Sequence, residues 1–102
     1  MPKGPQLPLN KRCWKVTFSP DASKTLKKLD RPIKTRVLKF IQQKLVNAEN
    51  PRIYGKRLSY PLEEFWRYRV GDYRLIARFI ENELIVDIIK VGYRKEVYEL
   101  VC

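Results

Sequence analysis

The sequence predicts an α+β fold: a single twisted, antiparallel-rich β-sheet with a two-helix hairpin on one face, in the order β-α-α-β-β-β. Three observations predict it. Two consecutive segments with apolar residues at helical spacing each open on a capping residue and a proline, at Ser19-Pro20 and Asp30–Pro32. Three strand-like runs follow, joined by connections as tight as Gly71-Asp72 and Glu81-Asn82-Glu83. The chain has 102 residues, enough for one domain and one core, burying about 65% of the extended chain's surface.

In order, residues 1–13 are rich in Pro, Gly and basic residues and show no periodicity. They are expected to be a flexible extension, with the folded domain spanning 14–102. "CWKVTF" (13–18) reads as a short strand. The helix over 19–30 has Ser19 to cap it, Pro20 in its first turn and Asp21 at its positive end. Its apolar positions Ala22, Leu26 and Leu29 share a face. A second helix, capped by Asp30, aligns Ile33, Val37, Phe40, Ile41 and Leu45 and ends by Asn50-Pro51. Residues 51–64 read as connecting chain punctuated by Gly55 and Pro61. Strands are expected over 65–70, 73–80 and 84–91; "ELIVDIIKVG" is β-branched enough to lie inside the sheet.

Strand alternation sorts the side chains of "WRYRVGDYRLIARF" (66–79). Trp66, Tyr68 and Val70 share a face with Tyr73, Leu75, Ala77 and Phe79, and the helices need that apolar face. Arg67, Arg69, Arg74 and Arg78 are left on the open one. Trp66 and Tyr68 are thus expected beneath the helices, and Arg67, Arg69, Arg74 and Arg94 on one concave, solvent-facing surface. Arginine stems cover an open sheet well while their heads stay wet. Within this stretch, however, only the turn residue Asp72 is acidic, and close guanidinium groups without counter-charge suit a phosphate seated between them.

The totals agree with a polyanionic partner. Lys and Arg number 22 against 11 Asp and Glu, a net charge of +11, in a chain that is 44% hydrophobic. No basic amphipathic segment favours a membrane, and no run reaches spanning length. The start, "MPKGPQLPLNKRC", lacks the apolar core of a signal peptide, so a cytoplasmic location is expected. Cys13 and Cys102 make no disulfide framework. The chain has no histidine, which removes Ser-His and Cys-His nucleophiles, the commonest general base and the commonest zinc ligand. Chemistry here would fall to Lys, Arg, Tyr, Asp or Glu.

"GKRL" (55–58), "WRYRVGDYRLI" (66–76) and "VGYRKEVY" (91–98), in that order and spacing, resemble the RelE family of bacterial toxins within the RelE/ParE superfamily. The resemblance covers roughly 14–98. It implies a ribosome-dependent messenger-RNA endonuclease that needs no metal or other cofactor and cuts the codon in the ribosomal A site. The messenger's 2′-hydroxyl attacks the adjacent phosphate, leaving a cyclic phosphate and a free 5′-hydroxyl. It also implies a cognate antitoxin, acidic in its binding segment.

Carried over by position, the resemblance makes Arg67, Arg69, Arg74, Arg94 and Tyr98 the catalytic set. Arg74 and Arg94 would clamp the scissile phosphate, Arg67 and Arg69 would neutralise charge, and Tyr98 would stack on a base or orient the 2′-hydroxyl. Lys56, Arg57, Arg78, Lys90 and Lys95 are the expected RNA or ribosome contacts. Family members often carry lysine where this chain has Arg67 and Arg69. An arginine does not lose its proton in proteins, so neither can be a general base. Tyr98, Lys90, Lys95 or groups of the substrate and ribosome would serve instead. Some relatives carry a histidine where this chain has Tyr93, which would stack or pack beside Arg94.

Two rival functions share the sequence features. ParE-like toxins of the same superfamily inhibit DNA gyrase and cut nothing; they generally lack the arginine set with Tyr98. A non-catalytic basic RNA-binding module would expose stacking aromatics on its open sheet, whereas those of 66–70 are expected to point inward.

Overall fold

The computed structural model describes residues 14–94. The N-terminal extension, Cys13, Lys95, Tyr98 and Cys102 lie outside the described residues. Strand β1 is Lys15–Phe18, helix α1 Pro20–Lys28 and helix α2 Arg31–Phe40, continued by a π-helical turn over Ile41–Val46. A 3-10 turn at Pro51–Tyr54 leads to a two-residue strand β2, Lys56–Arg57. Strands β3 (Trp66–Val70), β4 (Tyr73–Ile80) and β5 (Ile85–Tyr93) complete the sheet. The predicted α+β architecture is the one observed, and the three C-terminal strands begin and end within two residues of expectation.

The sheet order is β1-β5-β4-β3-β2. All neighbours are antiparallel except β1 and β5, which run parallel. The link from β1 back into the sheet carries both helices, as a parallel pairing requires. Residues 51–64 are more than connecting chain, since β2 pairs Lys56 with Arg67 and Arg57 with Trp66.

Helix α1 begins as expected: the Ala22 amide donates to Ser19 Oγ at 3.0 Å. The Ser19 hydroxyl also donates to the Ile89 carbonyl at 2.7 Å, tying the cap to β5. Asp30 precedes α2, but its side chain makes no capping hydrogen bond; Pro32 alone shapes that entry. In the π-helical turn the Asn47 amide reaches the Gln42 carbonyl at 3.3 Å, and Ile41 and Leu45 remain buried.

The core lies between helices and sheet. Ala22, Val37, Ile41 and Leu45 pack against Tyr68, Val70, Leu75, Ala77, Val86, Ile88 and Val91. Tyr68 is fully buried and its hydroxyl donates to the Pro51 carbonyl at 2.9 Å. Burial pushes its phenol pKa up, since the phenolate would lose its water. Its ring lies so close to Gly55 that a Cβ there would stand 2.7 Å from Tyr68 Cε1. That one ring therefore fixes where the 51–55 segment meets the sheet.

Trp66 differs from its predicted deep burial. It is half-buried at the far end of β3, edge-on to Phe79 with ring centres 5.8 Å apart. Arg52 fills the space beside them. Its guanidinium sits 4.1 Å from the Phe79 ring centre and 6.0 Å from that of Trp14, and pairs with Glu81. Nothing in the sequence marks Arg52, because its aromatic partners come from three distant segments.

Strand β5 does not alternate strictly. Ala77 pairs with Ile88 but Ile76 with Lys90, leaving Ile89 as a bulge. Val86 and Ile88 face the helices before it, Val91 after it. The extra residue turns Lys90, Gly92 and Arg94 to the open face.

Candidate functional site

The open face is built as rows of cross-strand partners. One row runs Lys56, Arg67, Ile76, Lys90 across β2, β3, β4 and β5. The next, toward the Gly71-Asp72 turn, is Arg69, Arg74, Gly92. A third, at the opposite end, sets Arg78 beside Asp87 and Thr17. The period-2 facing derived from the sequence therefore holds across β3 and β4.

The turn end of the sheet concentrates cations. Gly71 has φ of +61°, a left-handed conformation that glycine adopts without steric cost. Arg74 is only 9% exposed, against the expectation of a solvent-facing side chain. Its Nη1 donates to the Gly71 carbonyl at 3.0 Å and the Tyr73 carbonyl at 2.9 Å. The guanidinium is thus folded onto the turn, in a fixed orientation. Beside it in the row, Gly92 contributes no side chain.

Arg94 reaches the same turn from β5. Its amide donates to the Asp72 carbonyl at 2.9 Å, its Nη2 donates to Tyr93 Oη at 3.2 Å, and its Nε lies 3.8 Å from Asp72 Oδ1. The hydrogen bond to Tyr93 first, then electrostatic attraction to that oxygen and to the Asp72 carboxylate, raise its pKa; it is a permanent cation. Tyr93 packs edge-on against Tyr73, ring centres 5.5 Å apart. Arg69, Arg74 and Arg94 thus gather around a single hairpin turn, with Arg69 exposed and Arg67 half-buried one row behind.

The other predicted contacts are more dispersed. Lys56 shares the open face with Arg67. Arg57 faces the other way: its guanidinium lies over the Trp66 ring and its Nε donates to the Glu63 carbonyl at 2.8 Å. With Arg52, Glu63, Glu64, Trp66 and Phe79 it lines a cavity of about 430 Å³, far from the turn. Arg78 pairs with Asp87 at 3.4 Å, and the Asp87 Oδ1 also accepts from Thr17 Oγ1 at 2.8 Å. Lys90 pairs with Asp21. The hydrogen bond and charge of Lys90 hold the Asp21 carboxyl below its ordinary value of 3.8.

These two carboxylates correct the picture of an acid-free face. Within 66–79 only Asp72 is acidic, but Asp87 and Asp21 reach the face from β5 and α1. They neutralise Arg78 and Lys90 and leave the turn end as the basic focus. Among the described residues no three Asp, Glu or Cys side chains gather as metal ligands would, and no helix is long and apolar enough to cross a membrane.

A fixed guanidinium beside two more arginines can bind a phosphodiester and stabilise charge developing on its oxygens. The model of the ParE toxin of type II toxin-antitoxin systems, parDE, matches residues 16–98. The toxin-antitoxin complex RelBE2 from Mycobacterium tuberculosis contains a chain 30% identical, at a TM-score of 0.73 over 81% of this chain and 100% of that one. The isolated E. coli RelE toxin is 26% identical, TM-score 0.66, over 86% and 94%. The RelE-RelB complex from Pyrococcus horikoshii OT3, at 21% identity, TM-score 0.61, over 82% and 98%, shares the fold. No curated protein matches. The chain belongs to the RelE/ParE superfamily and is a toxin of a type II toxin-antitoxin system.

Proposed function

We propose that this toxin is a ribosome-dependent messenger-RNA endonuclease that cuts the codon in the A site by attack of the 2′-hydroxyl on the adjacent phosphate. The observation that carries the reading is the gathering of Arg69, Arg74 and Arg94 at the Gly71-Asp72 turn, beside a glycine of β5. In this reaction the O2′–P bond forms, the P–O5′ bond breaks, and a proton passes from the 2′-hydroxyl to a base while another reaches the departing 5′-oxygen. The cyclic phosphate keeps one negative charge. Extra charge builds up only in the pentacoordinate transition state, where a held guanidinium acts best.

Arg74 is the buried, preorganised donor of this set and Arg94 the exposed one. Arg67 and Arg69 offset backbone charge along the strand. None of the four can accept a proton. Lys90, engaged by Asp21, is a poor choice of base, which leaves Tyr98, Lys95 or groups of messenger and ribosome. The partners of this reading are the ribosome with its messenger and an acidic cognate antitoxin, in the cytoplasm. Relatives solved as RelB complexes support the antitoxin.

The experiment is to add purified protein to a translating extract and map messenger ends by primer extension. Codon-phased cuts are expected. The family model, named for ParE, favours a second reading, inhibition of DNA gyrase. Intact messenger with poisoned gyrase would establish that one and exclude cleavage.

A further inference from the structure

Strand β2 pairs only with the first two residues of β3, so the outer edge of β3 from Tyr68 to Val70 has no strand beside it. Helix α2 borders that edge. Between them lies a groove of about 280 Å³, with Arg36, Lys39 and Lys44 on one wall, Arg69 on the other, and Phe40 and Val70 as apolar lining. From Arg31 to Ala48 the chain has five basic residues and no carboxylate. Among the described residues, none of the four groove cations has an acidic partner. The groove is also continuous with the turn. A Cβ on Gly71 would stand 2.6 Å from Arg36 Nη1, while Arg74, on the open face, holds the Gly71 carbonyl.

We infer that this groove binds the phosphodiester backbone of single-stranded RNA, carrying the strand from the turn-end arginines around the edge of β3 and along α2. The inference rests on the RNA-cleaving reading and extends its binding site. Like charges this close repel, and a polyanion laid between them removes the repulsion. An acidic polypeptide would also be attracted, but continuity favours the nucleic acid: Arg69 belongs to groove and open face alike, and Arg36 and Arg74 meet at one turn. A single strand can follow the cations from one face to the other.

The test measures binding of full-length protein to labelled 2′-O-methyl RNA, which cannot be cut, across a salt series. The probes are a trinucleotide and a dodecanucleotide. Arg36→Gln with Lys39→Gln removes two groove charges; Lys27→Gln with Lys28→Gln removes two from α1 as a charge-matched control. The groove pair is expected to weaken dodecanucleotide binding several-fold, lower its salt slope by about 1.4 (about 0.7 per phosphate contact) and spare the trinucleotide. Arg36→Lys with Lys39→Arg should restore the slope, separating charge from packing. Equal slopes for the groove and control pairs would overturn the inference. So would unchanged RNA binding with weakened binding of polyglutamate, which would assign the groove to an acidic protein. The cleavage reading fails separately: wild-type protein that leaves messenger intact, yet shows the groove-dependent slope, sinks cleavage and keeps the groove.

Discussion

Arg69 and Arg74 stand directly opposite one another across the β3–β4 ladder. One is exposed; the other is buried with its Nη1 on the carbonyls of Gly71 and Tyr73. Like charges at directly opposed positions destabilise a sheet. Folding Arg74 back onto the turn gives its charge two acceptors and leaves Arg69 the water. The two arginines should therefore respond differently to removal. Arg74→Ala deprives two carbonyls of a charged donor and should cost about 1–3 kcal/mol. Arg69→Ala should stay within about 0.5 kcal/mol of wild type. Urea unfolding of the two variants measures both; equal losses would mean that the contacts of Arg74 do not hold the turn.

Arg94→Ala should lower messenger cleavage by roughly 10²–10³ while folding and ribosome association stay near wild type. Many scattered charges dock a protein of this basicity, but few are held at the turn. Primer extension together with ribosome co-sedimentation separates the two effects. Full cleavage by the variant would remove Arg94 from the reaction.

Tyr98 is tested through its hydroxyl. If that group moves or orients a proton, Tyr98→Phe should be nearly as defective in cleavage as Tyr98→Ala. Activity near wild type in Tyr98→Phe, with loss only in Tyr98→Ala, would restrict its role to stacking of the ring.

Asp21 should titrate below 3.8 in the native protein, because Lys90 stabilises its carboxylate. The sign follows from linkage: a depressed carboxylate adds stability above the unfolded-state pKa, and that stability is lost as pH falls through the folded-state value. Both groups lie at the surface, so the gain is small, but the titration itself is measurable. In Lys90→Gln the side-chain carboxyl NMR midpoint of Asp21 should return toward 3.8. An unchanged midpoint would show that the pair does not persist in solution.

Gly71→Ala should destabilise by about 1–2 kcal/mol, the cost of placing a Cβ at positive φ, and it must also displace Arg36. Gly55→Ala makes a useful comparison. It has no positive φ, and its new methyl would meet the buried Tyr68 ring and, at 3.1 Å, the Arg67 carbonyl. Thermal melts should show both losses, with only Gly71→Ala altering RNA affinity through Arg36.

The helices, the hairpin turn and the two faces of β3 and β4 were legible because each is written locally. Ser19-Pro20 announces a helix start, Gly71-Asp72 a turn, and period-2 alternation a facing. What escaped depends on partners distant in sequence. Asp87 and Asp21 meet their cations only after β5 pairs with β4 and α1 docks beside it, so the stretch 66–79 looked less compensated than its neighbourhood is. Arg74 was expected in solvent because alternation gives a face and says nothing about where a long side chain folds. The two residues of β2 are too few to carry a pattern, and the aromatic surroundings of Arg52 come from Trp14, Trp66 and Phe79. The RNA and ribosome contacts expected at Arg78 and Lys90 have carboxylate neighbours.

The bulge at Ile89 makes β5 a strand of two opposite parities. Before it, even-numbered residues Val86 and Ile88 belong to the core; after it, odd-numbered Val91 does. Loss of that single codon would leave every other residue in the chain unchanged, yet exchange inside for outside along the rest of the strand. Lys90, Gly92 and Arg94 would turn toward the helices, and Val91 and Tyr93 toward water. An in-frame deletion of one aliphatic residue, touching no cation, would thus dismantle the arginine cluster at the turn.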